Sequence, residues 1–199
     1  LELLMNPFSG KRIVLTGHTG FKGSWLACWL SRLGAEVIGI SDRVPTEPSH
    51  FETTSEDLAG DLRIDVRETS EILQVLEKHK PEFVFHLAAQ PIVFESYENP
   101  METFSVNAMG TASVLEALRV YDRPCMAIMI TSDKCYDNVE WTHGYKETDR
   151  LGGKDPYSGS KGAAELVIRS YAESYFKKPE SKVLIAVGRA GNVIGGGDW

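Results

Sequence analysis

Short apolar runs alternate along this chain with longer segments in which apolar residues recur every three or four positions. The short runs predict six strands, at 12–16, 36–41, 61–66, 83–87, 126–130 and 182–187. The longer segments predict helices, at 24–33, 69–80, 100–121 and 156–176. Apolar strands that alternate with helices are typical of a parallel sheet covered on both faces. The pattern therefore predicts an α/β protein with a doubly wound parallel sheet.

A glycine-rich turn joins the first predicted strand to the first predicted helix. Gly17, Gly20 and Gly23 stand three residues apart in this turn. Glycines let the backbone approach a pyrophosphate closely, and the free N–H groups and the helix dipole then stabilise the anion. With the strand at 36–41 the turn completes a βαβ unit, which predicts dinucleotide binding in a Rossmann-type fold.

Four side chains lie between these glycines. Thr19 and Phe21 are assigned to the cofactor-binding turn together with the glycines. His18 and Lys22 either approach a phosphate or are simply solvated, and the sequence does not choose between these roles. The alternative for the whole motif is a structural turn without a ligand.

Charged residues after the second and third strands bear on the adenosine half of the cofactor. Asp42 is a candidate acceptor for the ribose hydroxyls, which favours NAD, whereas a guanidinium at Arg43 favours the 2′-phosphate of NADP. Asp65 comes at the end of the third predicted strand. It either accepts a hydrogen bond from the adenine amino group or caps the helix that begins near Thr69.

Small and polar residues follow the fourth strand. Ala88 and Ala89 lie at the carboxyl edge of the sheet, where small side chains either let a cofactor pass or serve ordinary tight packing. Asn107 stands inside the helix predicted at 100–121, a position that asparagine disfavours by propensity. A buried polar role is expected for it, with a solvent-facing amide as the alternative.

Residues that carry reactive groups gather after the fifth strand. Ser132, Asp133 and Lys134 follow the run at 126–130, at the edge where open α/β sheets bind ligands. Tyr157 and Lys161 are four residues apart on a predicted helix and therefore share one face. A phenol beside an ammonium, near an acid and a hydroxyl, suits proton and hydride chemistry on a hydroxyl-bearing substrate. The alternative is a surface tyrosine and a solvated lysine.

Composition narrows the class of protein. A net charge of −7 argues against a broad nucleic-acid surface. Cys28, Cys125 and Cys135 lack the paired spacing of a metal or redox motif, so reduced thiols in a cytoplasmic protein are expected and no metal site is predicted. No apolar run approaches the ~18 residues of a membrane span, and residues 1–8 lack the features of a signal peptide.

Taken together, four motifs resemble those of the extended short-chain dehydrogenase/reductase family. They are Gly17-x-x-Gly20-x-x-Gly23, Thr131-Ser132-Asp133-Lys134, Tyr157-x-x-x-Lys161 and Arg189-Ala190-Gly191-Asn192. Within that family three stretches are similar to the dehydratases that act on CDP-glucose: the turn from Gly17 to Trp25, the Ser-Asp-Lys sequence and the closing Gly-Gly-Gly-Asp-Trp at 195–199. Related dTDP-glucose dehydratases carry Thr-Asp-Glu instead, and sugar epimerases of the family lack the aspartate.

The resemblance implies an internal redox cycle on a nucleotide-linked hexose with tightly held NAD. Tyr157, its pKa lowered by Lys161 and the nicotinamide charge, takes the 4-hydroxyl proton while Ser132 hydrogen-bonds the same oxygen. Asp133 then acts as the acid at the 6-hydroxyl and Lys134 takes part at C5. The implied product is CDP-4-keto-6-deoxyglucose, which feeds deoxysugar synthesis for surface polysaccharide such as the lipopolysaccharide O-antigen.

The resemblance also assigns binding roles. Tyr157, Lys161 and Asn107 belong to the implied cofactor site, with Asn107 as its structural amide. Gln90, Ser132 and Asn192 face the substrate, Asn192 at its diphosphate.

Residues 5–199 are expected to form one NAD-binding domain. Family members continue into a carboxyl-terminal lobe that binds the substrate nucleotide, and this lobe is absent here. A homodimer or larger homo-oligomer is implied, through the helices at 100–121 and 156–176. The alternatives are another sugar-nucleotide epimerase or dehydratase and, from a different class, a dinucleotide-binding module without catalytic activity.

Overall fold

One six-stranded sheet forms the centre of the computed structural model, which describes residues 6–121 and 123–198. The strands are β1 Arg12–Thr16, β2 Glu36–Ser41, β3 Gly60–Arg63, β4 Phe83–His86, β5 Cys125–Ser132 and β6 Val183–Ala190. They lie in the order β3-β2-β1-β4-β5-β6, and every neighbouring pair is parallel. The predicted doubly wound Rossmann-type sheet is therefore confirmed. The ends of the predicted domain, Met5 and Trp199, lie outside the described residues.

Helices cover both faces of this sheet. They are α1 Phe21–Arg32, α2 Thr69–His79, α3 Val93–Glu98, α4 Pro100–Phe104, α5 Gly110–Val120 and α6 Pro156–Tyr171. Two π-helical turns, Ser105–Met109 and Ala172–Phe176, continue α4 and α6. Short 3-10 turns occur at His50–Thr53, Ser55–Asp57 and Asp133–Cys135.

The core consists of two layers because alternate strand residues point to opposite faces. On β1, Val14 belongs to the cluster that packs against α2, α5 and α6. Its neighbours Ile13 and Leu15 belong to the second cluster, which includes Ala27 and Leu30 of α1. Apolar side chains on both faces of the central strands explain why their sequences lack alternation.

Several element boundaries differ from the predictions. α1 begins at Phe21 rather than at residue 24, so the third glycine of the turn lies within the helix. β3 ends at Arg63 rather than at residue 66, because Asp65 accepts a hydrogen bond from the Arg67 N–H and turns the chain. α3 was not predicted at all. β5 extends to Ser132, which is thus the last strand residue rather than a loop residue.

The sheet order reverses between β1 and β4, whose carboxyl ends border a crevice of the kind that binds ligands in open α/β sheets. The glycine turn follows β1 and the segment 87–90 follows β4. The next strand, β5, ends at Ser132. The fold thus brings the predicted cofactor and catalytic residues to one edge of the sheet.

Membrane spans and metal clusters are the two other features that bear on function. Within the described part of the chain, no helix has both the length and the apolar character that crossing a bilayer requires. Nor do residues 6–121 and 123–198 contain a cluster of three or more His, Cys, Asp or Glu side chains that could hold a metal ion. Cys28 is half-buried, Cys125 and Cys135 are buried, and all three are free thiols.

Candidate active site

The three glycines of the turn have two different structural roles. Gly17 has a φ of +73°, and a Cβ there would lie 2.7 Å from the Ala88 nitrogen. A Cβ on Gly23 would lie 1.9 Å from the Gly17 carbonyl oxygen. On Gly20 the nearest atom, again the Gly17 oxygen, would be 3.5 Å away. Gly17 and Gly23 are therefore required by the fold, whereas Gly20 leaves open space at the start of α1.

His18 neither faces that open space nor is solvated. Its ring is fully buried, and its Nε2 lies 2.9 Å from Asp61 Oδ1. Gly39 of β2 has to be glycine, because a Cβ there would come within 2.3 Å of the His18 ring. Burial lowers the pKa of His18, which keeps the imidazole neutral. The two roles considered for His18, contact with a phosphate and exposure to solvent, are therefore wrong. Lys22 is exposed, which fits the solvated alternative.

Thr19 connects the turn to the end of β2. Its Oγ1 lies 2.7 Å from Ser41 Oγ and 2.7 Å from the Arg43 carbonyl oxygen, and the side chain is buried. The hydroxyl is thus occupied within the chain. Phe21, the first residue of α1, is half-buried. The predicted cofactor contacts of these two residues remain predictions.

The adenosine side of the crevice is formed by the residues after β2 and β3. Arg43 Nε lies 3.9 Å from Asp42 Oδ2, and both side chains are mostly exposed. Both carboxylate oxygens of Asp65 accept hydrogen bonds from the Arg67 guanidinium, which lowers the pKa of the Asp65 carboxyl. Glu68, not Asp65, occupies the N-cap of α2. The helix-capping role considered for Asp65 is therefore wrong, whereas its contact with adenine stays a prediction.

Asn107 lies in the π-helical turn and is buried, as expected. Its Oδ1 accepts from the Gln90 N–H at 2.8 Å, and its Nδ2 donates to Ser160 Oγ at 2.9 Å and to the Gln90 carbonyl at 3.1 Å. These bonds fix the segment that contains Ala88 and Ala89, both half-buried at the crevice. The Gln90 side chain bonds to Thr103 Oγ1 at 2.9 Å and to the backbone of residue 92. The predicted ligand contacts of Asn107 and Gln90 are not tested by these bonds.

The five predicted catalytic residues meet at the carboxyl end of β5. Ser132 Oγ donates to Asp133 Oδ1 at 3.1 Å and accepts from the Lys134 N–H at 3.2 Å. Lys134 Nζ lies 3.5 Å from Asp133 Oδ2, and these two side chains are 51% and 46% exposed. Ser132, Tyr157 and Lys161 are buried, and Lys161 Nζ lies 5.8 Å from the centre of the Tyr157 ring. A buried trio thus borders a half-exposed ion pair.

Burial controls the protonation of the two central groups. It raises the pKa of the Tyr157 phenol above its ordinary value, and the Ser132 hydroxyl opposes this rise. It lowers the pKa of Lys161 to about 8, with a smaller contribution from the charge of Lys22. In the chain without a cofactor, desolvation of the phenolate is thus the larger effect on this pKa. The expected lowering by Lys161 together with the nicotinamide charge stays a prediction for the chain with NAD bound.

The sequence patterns did not reveal Glu165, which lies one helical turn beyond Lys161 on the same face of α6. Arg189 donates to both its carboxylate oxygens, at 2.9 Å and 2.8 Å, and the Glu165 side chain is buried. The same guanidinium donates to Tyr136 Oη at 2.8 Å, and Thr131 Oγ1 donates to Glu165. The pair joins α6 to β5 and β6. The spacing of four residues between Lys161 and Glu165 was the sequence pattern that could have identified Glu165.

Asn192 is exposed two residues beyond β6, in a segment that also contacts α1. The Trp25 indole N–H donates to the Gly196 carbonyl at 2.9 Å, and the Trp25 ring stacks on His50 at 4.3 Å. Two of the three stretches that carry the narrower resemblance, the turn that ends at Trp25 and the glycine run near residue 196, therefore lie against each other. The proposed contact of Asn192 with a diphosphate stays a prediction.

Comparisons with known proteins agree with this geometry. Residues 14–181 match the family model described as GDP-mannose 4,6 dehydratase. A CDP-glucose 4,6-dehydratase from Salmonella typhimurium is 49% identical over 198 residues, which are 98% of this chain and 55% of the relative. A GDP-mannose 4,6-dehydratase from Vibrio cholerae is 33% identical over 178 residues, covering 83% of this chain and 46% of the relative. The chain thus spans about half the length of the curated relatives it matches.

Two solved structures share the fold of this chain. A UDP-glucose 4-epimerase from Thermus thermophilus, solved as a complex with NAD, is 27% identical and superposes with a TM-score of 0.73. The match covers 89% of this chain and 54% of that one. An epimerase from Methanothermobacter thermautotrophicus superposes with a TM-score of 0.80 over 97% of this chain and 55% of that one, at 23% identity. The latter similarity concerns the fold alone.

Proposed function

The chain belongs to the GDP-mannose 4,6-dehydratase family of the extended short-chain dehydrogenases/reductases, and on this premise we propose that it takes part in the dehydration of CDP-glucose to CDP-4-keto-6-deoxyglucose. The observation that carries the proposal is the Asp133–Lys134 ion pair beside the buried Ser132, Tyr157 and Lys161. Oxidation at C4 needs only the buried trio. An additional acid and base at the same edge support elimination of water, which an epimerase does not perform.

The glycine turn supports NAD as the cofactor. Gly20 leaves room for a pyrophosphate at the start of α1, where no side chain caps the helix. Asp42 would hold the adenosine ribose and Asp65 the adenine, while Tyr157 and Lys161 would hold the ribose next to the nicotinamide. The chemistry that bound NAD would supply is hydride transfer, from C4 of the sugar and back to C6. The alternative is NADP, whose 2′-phosphate the Arg43 guanidinium would bind. A direct titration with both cofactors distinguishes the two.

The residues of this chain carry the proton transfers. Tyr157 takes the proton of the sugar 4-hydroxyl as a phenolate, and Ser132 donates a hydrogen bond to the same oxygen. The positive charges of Lys161 and of a bound nicotinamide would favour this phenolate against the effect of burial. The resulting ketone acidifies the C5–H bond, whose proton passes to Lys134 as its free amine. Asp133, as the neutral acid, protonates the departing 6-hydroxyl, so that water leaves and the proton balance closes. The 3.5 Å contact between Asp133 and Lys134 allows them to share the proton that this step moves.

The Salmonella relative, whose name gives CDP-glucose, supports this compound as the substrate. Asn192 and Gln90 are proposed to bind its diphosphate and sugar. We also infer a cytoplasmic location from the three reduced thiols, since disulfides are rare in that compartment.

An association of two copies is proposed through α4, α5 and α6 and the π-helical turns. Large apolar side chains are exposed on or beside these helices: Phe94, Met101, Met109 and Leu166. A two-fold oligomer would bury them in an isologous interface. Light scattering on the complete protein at micromolar concentration tests this, and a monomeric mass would contradict it.

The experiment that tests the proposed reaction is Asp133→Asn in the complete protein, mixed with CDP-glucose. Asparagine keeps the size but cannot supply the proton, so elimination slows by ~10² to 10⁴-fold, as is typical for loss of a general acid. Hydride transfer from C4 remains, because Tyr157 and Lys161 are unchanged. Reduced cofactor should accumulate, visible by its near-ultraviolet absorbance, while mass spectrometry shows that water loss lags behind.

The matched control is Tyr157→Phe, which removes the base of the first step and should prevent any reduced cofactor from appearing. If Asp133→Asn dehydrates CDP-glucose at the rate of the unchanged protein, Asp133 has no catalytic role. A protein that reduces its cofactor but never loses water from CDP-glucose would belong with the epimerases instead.

A further inference from the structure

A chain of buried polar side chains connects the glycine turn to the catalytic helix. Thr16 Oγ1 lies 2.8 Å from His86 Nδ1, and His86 Nε2 lies 3.1 Å from Thr111 Oγ1. Thr16, His86 and Thr111 come from β1, β4 and α5, and all three are buried. None of the proton transfers proposed above uses them. The donors and acceptors around these three side chains determine the direction of each hydrogen bond.

The hydrogen bonds of Thr16 fix the tautomer of His86. The backbone N–H groups of Leu87 and Ala88 both donate to Thr16 Oγ1, each at 3.2 Å, so both of its lone pairs accept. The Leu87 N–H is shared between this hydroxyl and the Thr16 carbonyl oxygen, also at 3.2 Å. The Thr16 hydroxyl proton is therefore donated to His86 Nδ1. A neutral imidazole that accepts at Nδ1 carries its proton at Nε2, and this N–H donates to Thr111 Oγ1.

The chain continues to the catalytic tyrosine. The Thr111 hydroxyl donates to the Asn107 carbonyl at 2.6 Å. The Asn107 amide donates to Ser160 Oγ at 2.9 Å, and the Ser160 hydroxyl donates to the Tyr157 carbonyl at 2.6 Å. Every hydroxyl along this path both accepts and donates a hydrogen bond, and each ring nitrogen of His86 has one assigned role. At its other end, Thr16 directly precedes Gly17, where an added Cβ would lie 2.7 Å from the Ala88 nitrogen.

We propose that His86 is a positioning residue, which sets the separation between the glycine turn and Tyr157 through this directional chain of hydrogen bonds. The inference rests on the proposed function, since it concerns the tyrosine of that reaction. A planar ring with one acceptor and one donor on opposite sides holds Thr16 and Thr111 at a fixed distance. Displacement of a reacting group by about 1 Å can reduce a rate by ~10²-fold, so such a spacer affects turnover.

Protonation of His86 would interrupt this series of hydrogen bonds. A second ring N–H would point at Thr16 Oγ1, whose lone pairs already accept from two backbone amides. Burial, with the nearby charge of Lys161, lowers the pKa of His86 to about 3. The imidazole is thus neutral at any pH at which the protein would work, and the direction of the hydrogen bonds is permanent.

The test compares Thr111→Val with Thr111→Ser in the complete protein. Valine keeps the shape but removes the hydroxyl, whereas serine keeps the hydroxyl and removes a methyl group. Thr111→Val should lower kcat by about 10- to 100-fold, because Tyr157 loses its fixed distance from the cofactor. NAD affinity should change far less than kcat, since the glycine turn keeps its own backbone contacts. Thr111→Ser should retain most of the activity.

Two spectroscopic measurements test the same inference without turnover. NMR of ¹⁵N-labelled histidine should show His86 protonated at Nε2 alone between pH 5 and pH 8, in the unchanged protein. The titration of the Tyr157 phenol, followed with ¹³C-labelled tyrosine, should shift in Thr111→Val and not in Thr111→Ser. These results do not depend on whether CDP-glucose is the substrate.

Three outcomes would overturn the inference. One is a His86 proton on Nδ1. Another is equal loss of kcat in the valine and serine variants, which would indicate packing rather than hydrogen bonding. The third is a Tyr157 titration that Thr111→Val leaves unchanged. An unchanged protein that fails to convert CDP-glucose refutes the proposed function, while the His86 and Tyr157 spectra still decide the positioning role.

Discussion

The glycine turn after β1 and the predicted catalytic edge after β5 lie on the same side of the sheet, with β4 between their strands, yet they are built on different principles. In the turn the decisive contacts are between backbone atoms, as in the 1.9 Å approach that a Cβ on Gly23 would make to the Gly17 oxygen. At the catalytic edge they are between side chains, as in the two bonds from Arg189 to Glu165. One region excludes substituents by shape. The other depends on which groups are charged and which are desolvated.

This difference determines how each region responds to mutation. A backbone contact cannot relax, so an added methyl group at Gly17 or Gly23 has to displace the strand or helix beside it. A side-chain network keeps its shape under isosteric substitution and loses only hydrogen bonds or charge, whose effect depends on burial. Substitutions in the turn should therefore act on folding and binding together, whereas those at the edge should separate stability from chemistry.

The largest effect is expected from Gly23→Ala, compared with Gly20→Val. The Gly23 methyl group meets the Gly17 backbone, so this variant should unfold at lower temperature and lose measurable NAD binding. Gly20 has an ordinary φ of −75° and open space around it, so Gly20→Val should fold normally. Its branched side chain should nevertheless weaken NAD strongly by filling the space for the pyrophosphate. Calorimetric titration and thermal unfolding distinguish the two variants.

Normal NAD affinity in Gly20→Val would remove this turn from the cofactor site. Equal losses of stability in both variants would instead show that all three glycines serve the fold alone. Titration with NADP in the same experiment decides the role of Arg43, because a guanidinium that binds a 2′-phosphate makes NADP the tighter ligand.

A smaller effect is expected from Glu165→Gln at the catalytic edge. Removing one partner of a buried ion pair leaves the other charge uncompensated, which typically costs about 3 to 5 kcal/mol of unfolding free energy. The matched control is Glu116→Gln, since Glu116 receives two bonds from Arg119 at 2.7 Å and 2.6 Å in a much more exposed setting. Chemical denaturation should show a large loss for Glu165→Gln and little change for Glu116→Gln. Equal effects would contradict the importance of burial.

The same difference explains what could be predicted from the sequence. β1 and β2 were predicted with their observed bounds, and the glycines were found from their spacing, because local pattern and steric need coincide there. The long helix at 100–121 was predicted without the π-helical turn that positions Asn107, since that turn depends on contacts with Gln90 and Ser160. Such contacts between distant segments leave no local pattern.

The environments of His18 and Tyr157 likewise could not be predicted from residue type alone. The buried place of His18 depends on Gly39 and Asp61, which lie far from it in sequence, so its residue type alone suggested phosphate or solvent. The residue types at 132–134, 157 and 161 were sufficient to predict that these side chains lie together. They did not indicate that desolvation raises the pKa of the Tyr157 phenol in the chain without cofactor, because desolvation depends on the packed structure.

The smallest effect concerns Lys161 and the dependence of stability on pH. Its pKa is about 8 in the folded chain and 10.5 as the ordinary value. Above pH 8 the unfolded chain therefore binds more protons than the folded one, and the Lys161 contribution to the unfolding free energy rises with pH by about 1 kcal/mol between pH 8 and pH 9. Lys161→Met lacks this contribution. Its stability advantage over the unchanged chain should shrink by that amount across the same interval.

The interval from pH 8 to pH 9 isolates the lysine from other buried groups. Burial raises the pKa of Cys125 to about 12 and that of Cys135 to about 11, from 9.0, so both thiols stay protonated when folded and reduce stability chiefly above pH 9. They do so equally in the unchanged chain and in Lys161→Met. The contribution of the thiols therefore cancels in the difference between the two unfolding free energies. Lys154→Met, at an exposed lysine, serves as the control and should stay parallel to the unchanged chain. If Lys161→Met also stays parallel, Lys161 is not desolvated, and the catalytic edge loses the property that distinguishes it from the glycine turn.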